Sequence, residues 1–153
     1  MRRLFILIAI IVASQGVFSQ VLEKSEDGKY YKDNALFTGK HIDYTEDGTI
    51  KSERNFKDGL ENGTSIYYFS IDKKKEQREY SKGFKSGTWL TWNLAGQKTA
   101  VAHYVKDLKH GKWVIYDDNG KKRYEMNYDL GEKVGSWYMW DENGDLVSEK
   151  NYE

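Results

Sequence analysis

Three histidines, a recurring acid and a set of evenly placed tryptophans are the residues of this 153-residue chain whose chemistry could carry a function. His41, His103 and His110 are the candidates for proton transfer or metal binding. Such work needs a partner of fixed type within hydrogen-bond reach, and no acidic column accompanies them. His103 and His110 can approach across one loop, yet all three read as ordinary surface or strand histidines. A polar, mostly acidic column runs Glu53, Gln77, Glu125, Glu149, broken by Val101. A repeated acid of this kind is a solvated strand face, since nothing around it raises a carboxyl pKa toward general acid work. Asp117-Asp118-Asn119-Gly120 has the opening of a calcium loop, but Tyr128 stands where the closing glutamate belongs. The glycines lead into strands, whereas a phosphate loop leads into a helix. No nucleophile–base pair is legible. The sequence predicts no catalytic residue, no metal site, no cofactor and no enzyme.

Composition narrows the partners further. With no cysteine, thiolate zinc sites, redox pairs, cysteine nucleophiles and a thiol-linked lipid are excluded. Arg2 and Arg3 precede an apolar run from Leu4 to Ala13, shorter than the ~20 residues of a membrane-spanning helix. Val17 and Ser19 occupy the −3 and −1 positions of a cut before Gln20, and a cut after Gly16 with Ser14 at −3 also fits. Residues 1–19 are therefore expected to be a secretory signal, an uncleaved anchor being the alternative. The expected location is periplasmic, outer-envelope or secreted. Without Arg2 and Arg3, 22 basic side chains face 24 acidic ones, a net of −2. That balance argues against a nucleic-acid partner and gives no support for membrane association. Lys73, Lys74 and Lys75 form the basic run, in an expected turn.

The elements that must position these residues follow from one period. Gly39, Gly63, Gly87, Gly111 and Gly135 are spaced by 24 residues without insertion. Two residues on come His41, Ser65, Trp89, Trp113 and Trp137; five on come Tyr44, Tyr68, Trp92, Tyr116 and Trp140. Nine on come Gly48, Asp72, Gly96, Gly120 and Gly144, seventeen on Phe56, Tyr80, Tyr104, Tyr128 and Tyr152, and twenty on Gly59, Gly83, Asp107 and Gly131. Each unit reads as two strands, such as Gly111 to Tyr116 and Arg123 to Tyr128. Asn119-Gly120 and Asn143-Gly144 predict type I′ turns, whose two central residues both need positive φ. Asp72 and Asp107 replace the missing glycines, as a positive-φ requirement demands. No proline interrupts a strand.

The expected fold is all-β: a single-layer antiparallel meander of tandem 24-residue hairpins, with about ten strands. Residues 20–38 are expected to be a worn N-terminal cap, 39–153 the five repeats, with charges such as Glu149, Lys150 and Glu153 on the last edge. Of 23 aromatic residues, Phe5 and Phe18 fall in the leader, leaving 21 against 19 Leu, Ile and Val in the rest. Flat rings at that level suit a thin sheet covered by cross-strand contacts.

Glycine, an aromatic two and five residues on, Asn-Gly or Asp-Gly, then Tyr or Phe before a Lys-Asp-Gly-like loop: this pattern resembles the MORN-repeat family, and within it the bacterial variant branch often described as antitoxin-like. The resemblance spans Leu36 to Glu153 and is fullest at Gly87-Thr88-Trp89, Gly111-Lys112-Trp113 and Gly135-Ser136-Trp137. It implies an elongated single-layered sheet that binds partners or organises membranes, with no shared active site. Choline-binding repeats are also hairpins rich in Gly, Trp and Tyr, but their Gly and Trp are adjacent, and here one residue separates them.

Positions two and five after each glycine point to opposite faces of a strand. Trp89, Trp113 and Trp137 are then expected to stack along one face, and Trp92, Tyr116 and Trp140 along the other, beside Leu90, Val114 and Tyr138. Such columns can be ladders that hold the sheet, or a surface for a ligand. The full tryptophan pattern is confined to the last three units, which makes Trp89, Trp113 and Trp137 the candidate partner-binding residues, Trp113 at the centre. The expected function is that of an exported scaffold for a protein or cell-envelope partner; a carbohydrate-binding module is the alternative.

Overall fold

The structure is a computed structural model describing residues 22–153. The expected leader and its cut before Gln20 lie outside the described residues. Three short strands come first: β1 (Glu23–Lys24), β2 (Tyr30–Lys32) and β3 (Ala35–Leu36). Then follow β4 (Gly39–Tyr44), β5 (Ile50–Lys57), β6 (Leu60–Glu61), β7 (Gly63–Ser70), β8 (Lys73–Ser81) and β9 (Phe84–Trp92). The chain ends with β10 (Lys98–Val105), β11 (Leu108–Lys109), β12 (Gly111–Tyr116), β13 (Lys122–Asp129), β14 (Glu132–Trp140) and β15 (Leu146–Tyr152). The described residues contain no helix.

The expected all-β meander is what forms. One antiparallel sheet runs β15-β14-β13-β12-β10-β9-β8-β7-β5-β4, with β6 on β5 and β11 on β10. Every neighbour along that path is also the next long strand in sequence, so the layer needs no crossover. β6 with β7, and β11 with β12, are single strands broken at Asn62 and His110, whose backbone N–H groups still bond Asn55 and His103 carbonyls at 2.9 Å. The small β1-β2-β3 sheet joins this layer where Tyr30 N–H donates to the Gly59 carbonyl at 2.8 Å and the Tyr30 ring lies 4.8 Å from Phe56.

The turns at Asn-Gly differ from the type I′ geometry expected from the sequence. At Asn119-Gly120 only the glycine has positive φ, 80°. Gly120 N–H donates to the Asp117 carbonyl at 3.0 Å, and Asp117 N–H donates to Lys121 at 2.9 Å. This is a type I turn followed by a left-handed residue that forms a bulge. The cause is the Asp117 carboxylate, which accepts the N–H groups of Asn119 and Lys121, each at 2.9 Å, and so holds the intervening residues right-handed. Asp141 does the same in the last unit with Asn143, Gly144 and Asp145.

The paired positive φ values of a type I′ turn sit instead between units. They occur at Asp58-Gly59 (51°, 77°), Lys82-Gly83 (52°, 84°), Lys106-Asp107 (47°, 68°) and Leu130-Gly131 (41°, 100°). The second residue of each donates its N–H to the unit before: Gly59 to Phe37, Gly83 to Glu61, Asp107 to Lys85 and Gly131 to Lys109, at 2.8–3.0 Å. Both aspartate substitutes, Asp72 at 60° and Asp107 at 68°, do adopt positive φ.

A side chain added at Gly120 would meet nothing within 4 Å, so its cost is backbone strain alone. Gly120→Val should lose more than about 1 kcal/mol, and Gly120→Asn clearly less, because asparagine tolerates the left-handed region. Thermal unfolding of the two variants checks this; equal midpoints would refute the turn assignment.

Candidate partner-binding face

On one face of the sheet seven rings follow one another: Tyr80, Trp89, Tyr104, Trp113, Tyr128, Trp137, Tyr152. Neighbouring centroids are 4.9–5.4 Å apart and the planes tilt by 55–68°, within the edge-on range that ring quadrupoles favour. Register explains the order. Each tyrosine faces the repeat glycine of its own hairpin, as in Gly111↔Tyr128, and the positive φ at that position, 67° at Gly111, is a backbone conformation that glycine adopts without strain. Each indole N–H then donates to a carbonyl of the preceding unit: Trp89 to Glu79, Trp113 to His103, Trp137 to Asn127, at 2.9–3.0 Å. The three candidate tryptophans thus share one face, half-buried, each tied to a backbone and separated from the next by a tyrosine.

The second stack expected on the opposite face does not form. Trp92, Tyr116 and Trp140 face Lys98, Lys122 and Leu146 across the hairpin, and these interrupt any succession of rings. Tyr138–Trp140 at 5.8 Å is the ring contact found there. That face is ionic instead. Glu53 pairs with Lys40 at 2.6 Å and accepts from Tyr68 at 3.0 Å. Glu125 pairs with Lys112 at 2.6 Å and Lys122 at 2.9 Å. These bonds hold both carboxyls below the usual range, the reverse of what a general acid needs.

The first two units, which lack the tryptophan, carry a polar cluster that the sequence did not reveal. Opposite His41 and Ser65 stand Arg54 and Arg78. Asp43 accepts from Ser52 at 2.6 Å and Arg54 at 3.1 Å, and lies 3.1 Å from His41 Nε2. Burial opposes ionisation there, yet Ser52, Arg54 and His41 keep the Asp43 carboxyl low. A histidine, an aspartate and a serine therefore meet, but with the aspartate in the middle, so the imidazole does not reach the serine hydroxyl as it does in a nucleophile–histidine–acid relay. Arg78 lies over Tyr67 at 4.5 Å and Trp89 at 5.1 Å, and pairs with Glu76. Glu61 accepts from the fully buried Ser65 at 3.4 Å. Burial pushes the Glu61 carboxyl up despite Arg54 and Arg78, and burial with the nearby Glu61 charge pushes the Tyr67 hydroxyl up to about 12.

The other histidines stay apart. His103 Nδ1 lies 3.2 Å from Thr88 Oγ1, and His110 Nδ1 lies 3.2 Å from Asp129. The Asp117 and Asp141 carboxylates are occupied by their own turns.

Three hairpins of this register, residues 37–58, 109–130 and 133–153, match the family model described as MORN repeat variant. At these three hairpins the chain is similar to the MORN repeat variant. No curated protein matches it. Each matched stretch is one hairpin around Gly39, Gly111 or Gly135, and the units around Gly63 and Gly87 keep the same strand pairing between the matched ones.

Two columns of these repeats escaped sequence reasoning. Lys85, Lys109 and Lys133, two places before their glycines, lie over the ladder rings; Arg54 and Arg78 fill the fifteenth position where the tryptophan is lost. Both carry a 24-residue signal that a search confined to glycines and rings passes over.

The raised Glu61 carboxyl has a testable consequence. A group whose pKa is raised by folding adds stability below its unfolded value and loses it as pH rises through the folded one. Glu61→Gln should therefore match the parent in melting temperature near pH 3.5 and exceed it at pH 7. A difference that does not change across that range would rule out burial of the charged form.

Proposed function

We propose that the chain is an exported, non-catalytic scaffold that holds a protein or other cell-envelope partner on the ladder face of its last three units. The repeat pattern supports a kinship with the bacterial MORN-variant proteins described as antitoxin-like. Export rests on the Arg2-Arg3 start, the Leu4–Ala13 run and the Val17/Ser19 site. The observation that carries the docking face is a groove of about 330 Å³ lined by Tyr124, Met126, Trp137, Met139, Lys150 and Tyr152. Tyr124 is 41% exposed although its ring lies on an otherwise packed face. Rings and thioethers with one side open are the side chains that anchor interfaces and adapt to a partner's shape. Against catalysis stand the His41–Asp43–Ser52 order and the neutralised glutamates of the other face. A carbohydrate-binding reading uses the same surface, because indole and phenol rings pack on the C–H faces of sugars.

Tyr124 and Met126 lie beside the ladder, not within it, so their loss leaves the stacked rings in place. The double variant Tyr124→Ser/Met126→Ser should keep its circular dichroism and melting temperature within a few degrees. It should lose the partners that the parent captures from a native envelope extract. A folded double variant that captures the same set, or a parent that captures nothing, overturns the assignment.

A further inference from the structure

Lysines on the two faces of this sheet are treated differently. On the outer face three are neutralised by glutamates: Lys40 by Glu53, and Lys112 and Lys122 by Glu125. On the ladder face Lys85, Lys109 and Lys133 recur every 24 residues. Their ammonium groups sit 4.7–5.3 Å from the centroids of two rings each, a tryptophan and the tyrosine that follows it. Among the described residues, none of the three has a carboxylate partner. The register gives the reason: across units three to five the other positions sharing the ladder face hold Thr, Ile, Met, Ala, Ser, aromatic rings and a further cation, Lys150, which faces Trp137, and no acid.

Ring contact also fixes where the charges point. A lysine resting over two rings loses much of its rotamer freedom, so three ammonium groups form a row and not a diffuse cloud. Successive units are two strands apart, which sets the pitch of the row at about 10 Å. A ligand that neutralises it must repeat its negative charge at that pitch and offer something flat or apolar between charges.

We propose that this row binds an acidic polysaccharide lying across the strands with a carboxylate on every second sugar, a proposal that rests on the ladder-face reading above. A pyranose linked through equatorial bonds is about as long as one strand spacing, about 4.8 Å, so alternate sugars meet alternate strands. Carboxylates then fall on Lys85, Lys109 and Lys133, and the sugars between them lie along the acid-free face beside the lysine-covered rings. An acidic peptide fits less well. Its residues advance about 3.3 Å with sides alternating, so acids three apart match the pitch but point to opposite sides.

The probe is a hyaluronan fragment of about ten sugars, which carries its carboxylate on every second ring, titrated into the full chain and followed by calorimetry and tryptophan fluorescence. Polyglutamate and an uncharged cellulose oligomer serve as comparisons. Hyaluronan should bind, more weakly as salt rises, and better than either comparison. Lys109→Gln should weaken it about tenfold, the loss of one charge-assisted contact, and Lys85→Gln/Lys109→Gln/Lys133→Gln should abolish it. Lys109→Arg should retain binding, and Lys112→Gln on the other face should leave it unchanged. Should the triple variant fail to fold, the three single variants decide the matter by their separate losses. No binding by the parent, equal binding of polyglutamate, or undiminished binding by folded lysine variants overturns the proposal. If envelope partners are nonetheless lost in the Tyr124/Met126 variant, the docking face stands and the polysaccharide alone falls.

Discussion

A single β-layer has no second layer to pack against, so apolar burial must come from side chains lying against one another along the sheet. The Trp–Tyr ladder supplies that contact, and much of the rest of the structure serves it. Full burial is rare among the described hydrophobic residues, with Phe56, Ala102, Val114 and Tyr128 as the core. Two of these four are ring members of the seventeenth column. The repeat glycine supplies the positive φ opposite each tyrosine, the indole N–H anchors each tryptophan to the unit before, and a lysine covers each Trp–Tyr pair. The inter-unit turns reinforce the same direction, since each sends one N–H back to the preceding unit. Cohesion therefore runs from neighbour to neighbour, as expected of a repeat array.

The ladder also divides the face it covers. Where tryptophan gives way to His41 and Ser65, arginine takes over the stacking role: Arg54 lies over Tyr30 and Phe56, and Arg78 over Tyr67 and Trp89. Those guanidinium groups draw carboxylates after them, Asp43 and Glu76, so the first two units are internally neutralised. In the last three units lysine sits above the rings with no acid beside it. The same cation-on-ring geometry thus yields a satisfied cluster at one end and an unneutralised row at the other, and that asymmetry motivates the proposed binding.

The 24-residue period, the hairpin meander and the need for positive φ at Asp72 and Asp107 were legible because each is a property of spacing or of one residue's backbone. Turn type was not. Asn119-Gly120 reads as type I′ from its dipeptide, but the outcome depended on Asp117, two residues earlier, whose carboxylate takes up the turn's N–H groups. The second aromatic stack was expected from alternation alone; it failed because the cross-strand neighbours of Trp92 and Tyr116 are lysines, and alternation says nothing about partners. Ring order within the ladder depended on the Gly–Tyr register, which sequence spacing does not state. The absence of tryptophan at His41 and Ser65 gave no hint that Arg54 and Arg78 stand across the hairpin in its place.

The central claim is that the sheet is held by lateral ring packing on one face. It is tested most directly by comparing chemical unfolding of Trp113→Ala with that of Trp92→Ala, two tryptophans in the same repeat architecture on opposite faces. Trp113, between Tyr104 and Tyr128, should cost about 3 kcal/mol or more, as for a packed core ring, and Trp92 less than half of that. Equal losses from the two substitutions would contradict the account.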